Sequence, residues 1–179
     1  MRHDLIQLHL DKYLVLSDIS RLFLLFLFRH LYLGYVPNSE ILTDIGNQCF
    51  SYNTSLTDLY LPKAQTIGSF AFAVNANLKT INLPSISVLQ ANVFNQSHNI
   101  EVADIGDVCT TITNSAFSGC RIDLTLIVRA TTPPNLTGSF MLGSGGSVLS
   151  ILVPATSVDA YKSAPNWKNY AAVIDAISS

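Results

Sequence analysis

Apolar residues return along this chain at a long fixed interval. Phenylalanine stands at Phe50, Phe72, Phe94, Phe117 and Phe140, with steps of 22, 22, 23 and 23 residues. Five positions before the first four comes an aliphatic residue, Ile45, Ile67, Leu89 and Ile112, and directly before each comes a small or modest apolar one, Cys49, Ala71, Val93 and Ala116. Each unit also carries an aliphatic strand. The pattern is clearest in Leu56-Thr-Asp-Leu59-Tyr-Leu61-Pro62 and Leu78-Lys-Thr-Ile81-Asn-Leu83-Pro84, and degenerate in Ile100-Glu-Val-Ala103-Asp-Ile105-Gly106. A period of about 20 to 29 residues marks a solenoid, whose units bury their apolar faces only against one another.

Within a unit, proline or glycine directly after the strand predicts its end, because proline has no N–H for a ladder. The Ile-Gly pairs that follow (Ile45-Gly46, Ile67-Gly68) predict a turn in a conformation open to glycine. From there to the phenylalanine a short second segment points its apolar residues inward. About 22 residues per coil leave no room for a full amphipathic helix, so the expected architecture is a flat, β-rich right-handed coil with one parallel sheet along one side and few short helices. Aligned units place Leu59, Ile81, Ala103, Leu126 and Ile151 in one inward column and Leu61, Leu83, Ile105, Val128 and Val153 in the next. By strand alternation the intervening residues face outward. One outward file is Tyr60, Asn82, Asp104, Ile127 and Leu152, and beside it runs Asp58, Thr80, Val102, Thr125 and Ser150. This is the one extended, regularly built surface that the pattern defines, although a solvated sheet with no ligand would have the same signature.

The two ends depart from the period. Residues 1–38 hold Leu22-Phe-Leu-Leu-Phe-Leu-Phe28 between Arg21 and Arg29. A membrane-spanning helix needs about 20 nearly uninterrupted apolar residues, and Arg29 and His30 break this run after seven. Asp4, Asp11 and Asp18, with no small-residue cleavage site, also make it a poor signal peptide. A packed cap on the first repeat is the preferred reading, against a misassigned start or truncated upstream repeats, and membrane contact through this segment stays open. Leu31-Tyr-Leu-Gly-Tyr-Val36-Pro37 aligns with Leu56–Pro62 and suggests a decayed repeat. The array itself is assigned to residues 39–154. Residues 155–179 read as a C-terminal cap: a short helix through Lys162, N-capped by Ser157 or Thr156 and stopped before Pro165, then Trp167 and Tyr170, with Tyr161 on the helix, as an apolar cover.

Composition narrows the chemistry. Across 179 residues the net charge is −2, the ten Lys and Arg are scattered, and no basic stripe is present to neutralise a series of phosphates, so nucleic acid is not an expected partner. Charged residues make up 12% of the chain, about half the usual share, which leaves Ser, Thr and Asn to solvate the surface, as suits exported proteins. Cys49, Cys109 and Cys120 have neither metal-ligand spacing nor a disulfide framework. They are expected as buried thiols, with a Cys109–Cys120 bridge as the alternative.

Taken together, L-x-x-L-x-L-P followed by I-G-x-x-A-F resembles the BspA-type leucine-rich repeats of bacterial and protozoan surface proteins. The resemblance rests on Leu56–Pro62, Ile67-Gly-Ser-Phe-Ala-Phe72, Leu78–Pro84 and Ile112-Thr-Asn-Ser-Ala-Phe-Ser-Gly-Cys120, over roughly residues 43–177. Val128-Arg-Ala-Thr-Thr-Pro-Pro134, Ile151-Leu-Val-Pro154 and Val158-Asp-Ala-Tyr-Lys162 resemble the closing segment of such arrays. The insertion Gly143-Ser-Gly-Gly146 and the N-terminal apolar block depart from the pattern. The resemblance implies a secreted or cell-surface protein and adhesion to host matrix or cell-surface proteins.

Catalytic signatures are lacking: no G-x-S-x-G, H-E-x-x-H, phosphate loop or dinucleotide fingerprint occurs. His3, His9, His30 and His98 lie far apart, and Asp104 with Asp107 makes only a weak Ca²⁺ pattern. No enzyme activity, cofactor or metal is expected. Sequons at Asn53, Asn95 and Asn135 matter only in a eukaryotic secretory pathway. The residues that carry an expected binding role are Asp58, Tyr60, Thr80, Asn82, Val102, Asp104, Thr125 and Ile127. The alternative is a structural spacer or stalk in a larger surface or phage-tail assembly.

Overall fold

A computed structural model describes residues 34–36, 39–120 and 123–178. The chain winds as stacked coils, each with one strand on the main side and a two-residue strand on another. The main strands are β2 (Asp58–Tyr60), β4 (Thr80–Leu83), β6 (Val102–Ile105), β8 (Leu124–Val128) and β10 (Val148–Val153). With β11 (Ile174–Ala176) they form a parallel six-stranded sheet in the order β2-β4-β6-β8-β10-β11. The expected inward columns are all buried, from Leu59 at 2% exposure to Val153 at 0%.

The short second segments pair as well. Strands β1 (Asp44–Ile45) and β3 (Thr66–Ile67) form one parallel pair, and β5 (Val88–Leu89), β7 (Thr111–Ile112) and β9 (Asn135–Leu136) form a three-stranded sheet. The sheet on one side is therefore joined by a second, interrupted one. Its aliphatics, Ile45, Ile67, Leu89, Ile112 and Leu136, point into the core.

Between the two sides the phenylalanines stack. Ring centroids are 5.3 Å apart for Phe50–Phe72, 5.9 Å for Phe72–Phe94 and 5.5 Å for Phe94–Phe117, with interplanar angles of 6°, 22° and 12°. Phe140 meets Phe117 edge-on at 6.3 Å and passes the ladder to Trp167 and Tyr170. Three residues after each phenylalanine a buried slot holds Asn53, Asn75, Ser97 or Cys120. Asn75 Nδ2 donates to the Phe50 carbonyl at 3.0 Å, Ser97 Oγ to that of Phe72 at 2.8 Å, and Cys120 Sγ lies 3.6 Å from that of Phe94. The slot thus satisfies a buried carbonyl one coil back. All three cysteines are free and buried, which excludes the Cys109–Cys120 bridge here, and burial pushes the Cys120 thiol up to about 12. Burial of Asn53 also removes its sequon from any folded-state modification.

Glycine acts otherwise than the Ile-Gly pairs predict. Gly46 and Gly68 do not adopt positive φ. Instead Gly68 is required by close approach: an added Cβ would lie 2.3 Å from Asn47 Oδ1 and 2.8 Å from the Gly46 carbonyl carbon. The left-handed positions fall mostly on other residues: Gln48 and Tyr52 bracket Phe50, Phe70 and Val74 bracket Phe72, Asn92 and Gln96 bracket Phe94, and Gly119 alone follows Phe117. In the first three of these coils the two positions bend the chain tightly around the inward ring.

The C-terminal segment closes the array. After a 3₁₀ turn at Ala155–Ser157 comes α1 (Val158–Ser163), then a 3₁₀ stretch, Trp167–Val173. Ser157 is the residue before α1, but neither it nor Thr156 makes the expected side-chain cap; Ser157 is buried and its N–H is held by the Pro154 carbonyl at 2.8 Å. Trp167 and Tyr161 are wholly buried and pin the cap to the preceding coil, Trp167 Nε1 donating to the Pro134 carbonyl at 2.7 Å and Tyr161 Oη to that of Ala130 at 2.8 Å. Strand β11 then adds to the sheet edge, so residues 155–179 extend the solenoid as well as cover it. At the other end, the readings for residues 1–33, 37 and 38 lie outside the described residues. Val36 is buried against the core.

Two stability outcomes follow from this packing. Phe72→Ala removes a ring stacked on both faces and should cost about 3 to 5 kcal/mol in urea unfolding, whereas a loss below about 1 kcal/mol would place the ring outside the core. Gln96→Gly should raise stability by about 0.5 to 1 kcal/mol, since relief of a left-handed residue exceeds the added chain entropy, while Gly119→Ala in the same column should lower it. A Gln96→Gly protein that melts earlier would show that the side chain contributes more than the strained backbone costs.

Candidate functional site

The eight residues expected to face outward do so in two aligned files. Cα register joins Tyr60, Asn82, Asp104 and Ile127 across β2, β4, β6 and β8, and Asp58, Thr80, Val102 and Thr125 beside them. Leu152 and Ser150 extend the files onto β10. Core aliphatics on alternate positions hold every strand down, so the outer side chains stand on a fixed grid about 4.8 Å apart from coil to coil. The files are graded. Asp58, Tyr60, Thr80 and Asn82 are exposed, with Tyr60 at 50%, whereas Val102, Asp104, Thr125 and Ile127 are half-buried. The half nearer the cap is also the more apolar, through Val102, Ile127 and Leu152.

Two carboxylates on this face are already engaged. Asp58 accepts hydrogen bonds from the Thr57 hydroxyl at 2.8 Å and from the Thr80 hydroxyl one coil on. The Thr80 bond is the main reason its carboxyl titrates below the usual range, followed by the Thr57 bond. Asp104 is clamped by Arg129, whose Nε and Nη2 donate to its two oxygens at 2.8 and 2.7 Å. That bidentate pair keeps the guanidinium charged to higher pH, the hydrogen bond to Asp104 being the larger cause and its negative charge the next. Asp104 is therefore not available as a cation ligand with Asp107, and no group of three or more His, Cys, Asp or Glu among the described residues could hold a metal.

Arg129 is the functional candidate that the repeat pattern omitted. It lies two residues beyond Ile127 on the same strand line, so alternation alone places it outward. Its chain neighbour across the ladder is Gly106, since Arg129 N–H donates to the Ile105 carbonyl at 2.9 Å, and with no side chain there the guanidinium can cross diagonally to Asp104. Leu149, 58% exposed at the register shift in β10, is a second omission. No sequence signal marks that bulge. His98 is half-buried, with Nδ1 2.9 Å from the Gly119 carbonyl.

The family model for BspA-type leucine-rich repeats matches residues 26–133 in six copies, and the chain belongs to that family. Its repeats are used in protein interaction or surface functions, and they are in general non-catalytic. A search of curated proteins finds no match. No helix among the described residues is long and apolar enough to cross a membrane.

The Asp58 geometry gives a pH test. A carboxyl whose folded value is depressed adds stability above its unfolded value of about 3.9, and that contribution disappears as pH falls through the folded value. Because Asp58 is exposed the effect on stability is small, so the site-specific titration is the better readout. Carboxyl-carbon NMR should give Asp58 a midpoint below about 3.9 that rises in Thr80→Val. An unchanged midpoint in that variant would show that the hydroxyl bond is not maintained in solution.

Proposed function

We propose that this chain is a non-catalytic protein-binding module that adheres, at a cell surface or after secretion, to a host matrix or cell-surface protein through the outer face of its main sheet. The observation that carries this reading is the grid itself: Asp58, Tyr60, Thr80, Asn82, Val102, Asp104, Thr125 and Ile127 form one regular surface over a rigid core. Aromatic residues and arginine are enriched at interface cores and hot spots. Tyr60 offers an amphipathic ring among small neighbours, and Arg129 is held in place by Asp104, so ordering it on binding costs little entropy. The gradient from polar at Asp58 to apolar at Ile127 and Leu152 gives the face a direction and lets a partner bind in one orientation.

The test compares intact protein with a Tyr60→Ala, Asn82→Ala, Ile127→Ser triple variant of unchanged melting temperature, against a panel of matrix and cell-surface proteins. The triple variant should bind at least about tenfold more weakly, the loss of roughly 1.4 kcal/mol. Equal binding by both moves the interface off this face. Absence of binding by either across the panel favours the spacer or stalk reading, in which the solenoid only sets a distance.

A further inference from the structure

The loops that carry the phenylalanines inward hold residues in left-handed conformation, and what fills those positions changes along the array. In the coils of Phe50 and Phe72 they include Tyr52, Phe70 and Val74, at φ of 62°, 59° and 59°. In the coils of Phe94 and Phe117 they are Asn92, Gln96 and Gly119. Left-handed φ is cheap for glycine, tolerated by asparagine and least suited to bulky or β-branched side chains. Burial does not offset the choice of Tyr, Phe and Val, since Tyr52 is 58% and Phe70 37% exposed and Val74 is only half-buried.

These three residues share one corner of the solenoid. The Tyr52 N–H donates to the Ala73 carbonyl at 2.9 Å, which sets Tyr52 beside Val74 on the next coil, and the Ala73 N–H donates to the Phe70 carbonyl at 3.1 Å within one tight loop. The resulting apolar ridge is confined to the coils where the array begins. The chain also enters at this corner, for a Cβ placed on Gly34 would lie 3.7 Å from the carbonyl oxygen of Ser55, three residues after Tyr52. Upstream, Leu14-Val-Leu16 and Leu22-Phe-Leu-Leu25 are apolar, and the family match begins at residue 26. The nine residues from Leu25 to Gly34 span up to about 30 Å, so that stretch is tethered within reach of the ridge.

We propose that residues 1–25 of this chain cover the ridge of Tyr52, Phe70 and Val74 in an intramolecular contact. The ridge is apolar where coil geometry favours glycine or asparagine, it lies only beside the entry point, and the segment tethered there carries apolar runs outside the repeat match. A short tether gives a local concentration of about millimolar, which a second copy or a separate partner reaches only at high concentration. The contact removes apolar side chains from water on both sides, and it assigns Leu22–Leu25 to protein rather than to lipid. The ridge is separate from the outer face of the main sheet, so the inference stands whether or not that face binds protein.

Limited trypsin digestion of the intact chain tests the contact, because Lys12 and Arg21 lie within the segment. A Tyr52→Asn, Phe70→Asn, Val74→Asn variant should be cut at both sites at least about tenfold faster. Its melting temperature, followed by Trp167 fluorescence, should be no lower than that of the parent, since asparagine suits left-handed positions. Equal cleavage rates in the two proteins overturn the proposal. A second measurement does not depend on the variant folding: benzoylphenylalanine in place of Tyr52, in an otherwise unchanged chain, should on irradiation cross-link to residues 1–25 of the same molecule, as mapped by mass spectrometry of the monomer. Cross-links only within covalent dimers, only to added phosphatidylcholine vesicles, or only to other parts of the chain would each overturn it.

Discussion

The stacking of one phenylalanine per coil is the contact on which the rest of the structure depends. Phe50, Phe72, Phe94 and Phe117 overlap ring on ring, and their backbones are tied in the same steps, Phe50 N–H donating to the Ala71 carbonyl at 2.8 Å, Phe72 to Val93 at 2.9 Å and Phe94 to Ala116 at 3.0 Å. A slip of one residue would move every ring out of its column and leave the buried Asn75 and Ser97 groups without their carbonyls. Stacking and hydrogen bonding therefore select the same register. The left-handed residues on either side of Phe50, Phe72 and Phe94 are the local cost of threading one ring inward per coil, and the columns of Leu59 and Leu61 fix the opposite wall at the same pitch.

How much of this was legible follows from what repeats. The phenylalanine column, the two aliphatic columns and both outward files recur at 22 or 23 residues, with a last step of 25 in the strand columns and files, and each appears in the fold with the predicted partners. Features that depend on contact between coils were harder to read. Gly68 looks like a turn glycine in sequence, yet its constraint is the Asn47 side chain of the preceding coil, 21 residues away. The second sheet escaped because two-residue strands have no alternation to detect. Ser157 had the chemistry of a helix cap, but Pro154 had already closed the preceding turn, and β11 was hidden in a segment whose aromatics dominated its reading. Arg129 could have been found by extending the outward file by one step.

The outer face is better understood through what its polar groups already do. Asp58 is held by Thr80 from the next coil, Asp104 by Arg129 from the next coil, and Lys79 lies 3.5 Å from Glu101. Each of these joins one coil to another, and the exposed Lys79–Glu101 pair contributes little beyond that. Once these groups are set aside, the uncommitted side chains of the two files are Tyr60, Asn82, Val102, Thr125, Ile127, Ser150 and Leu152, none of them charged. Association through this face then relies on an aromatic ring, an amide and aliphatic surface, with Arg129 as a fixed guanidinium at the edge. Long-range steering has little to act on where the charges are already paired. Recognition on such a face comes from shape and contact at the grid, and because outward positions bear no load in the core, their identity can change from coil to coil without disturbing the phenylalanine stack beneath.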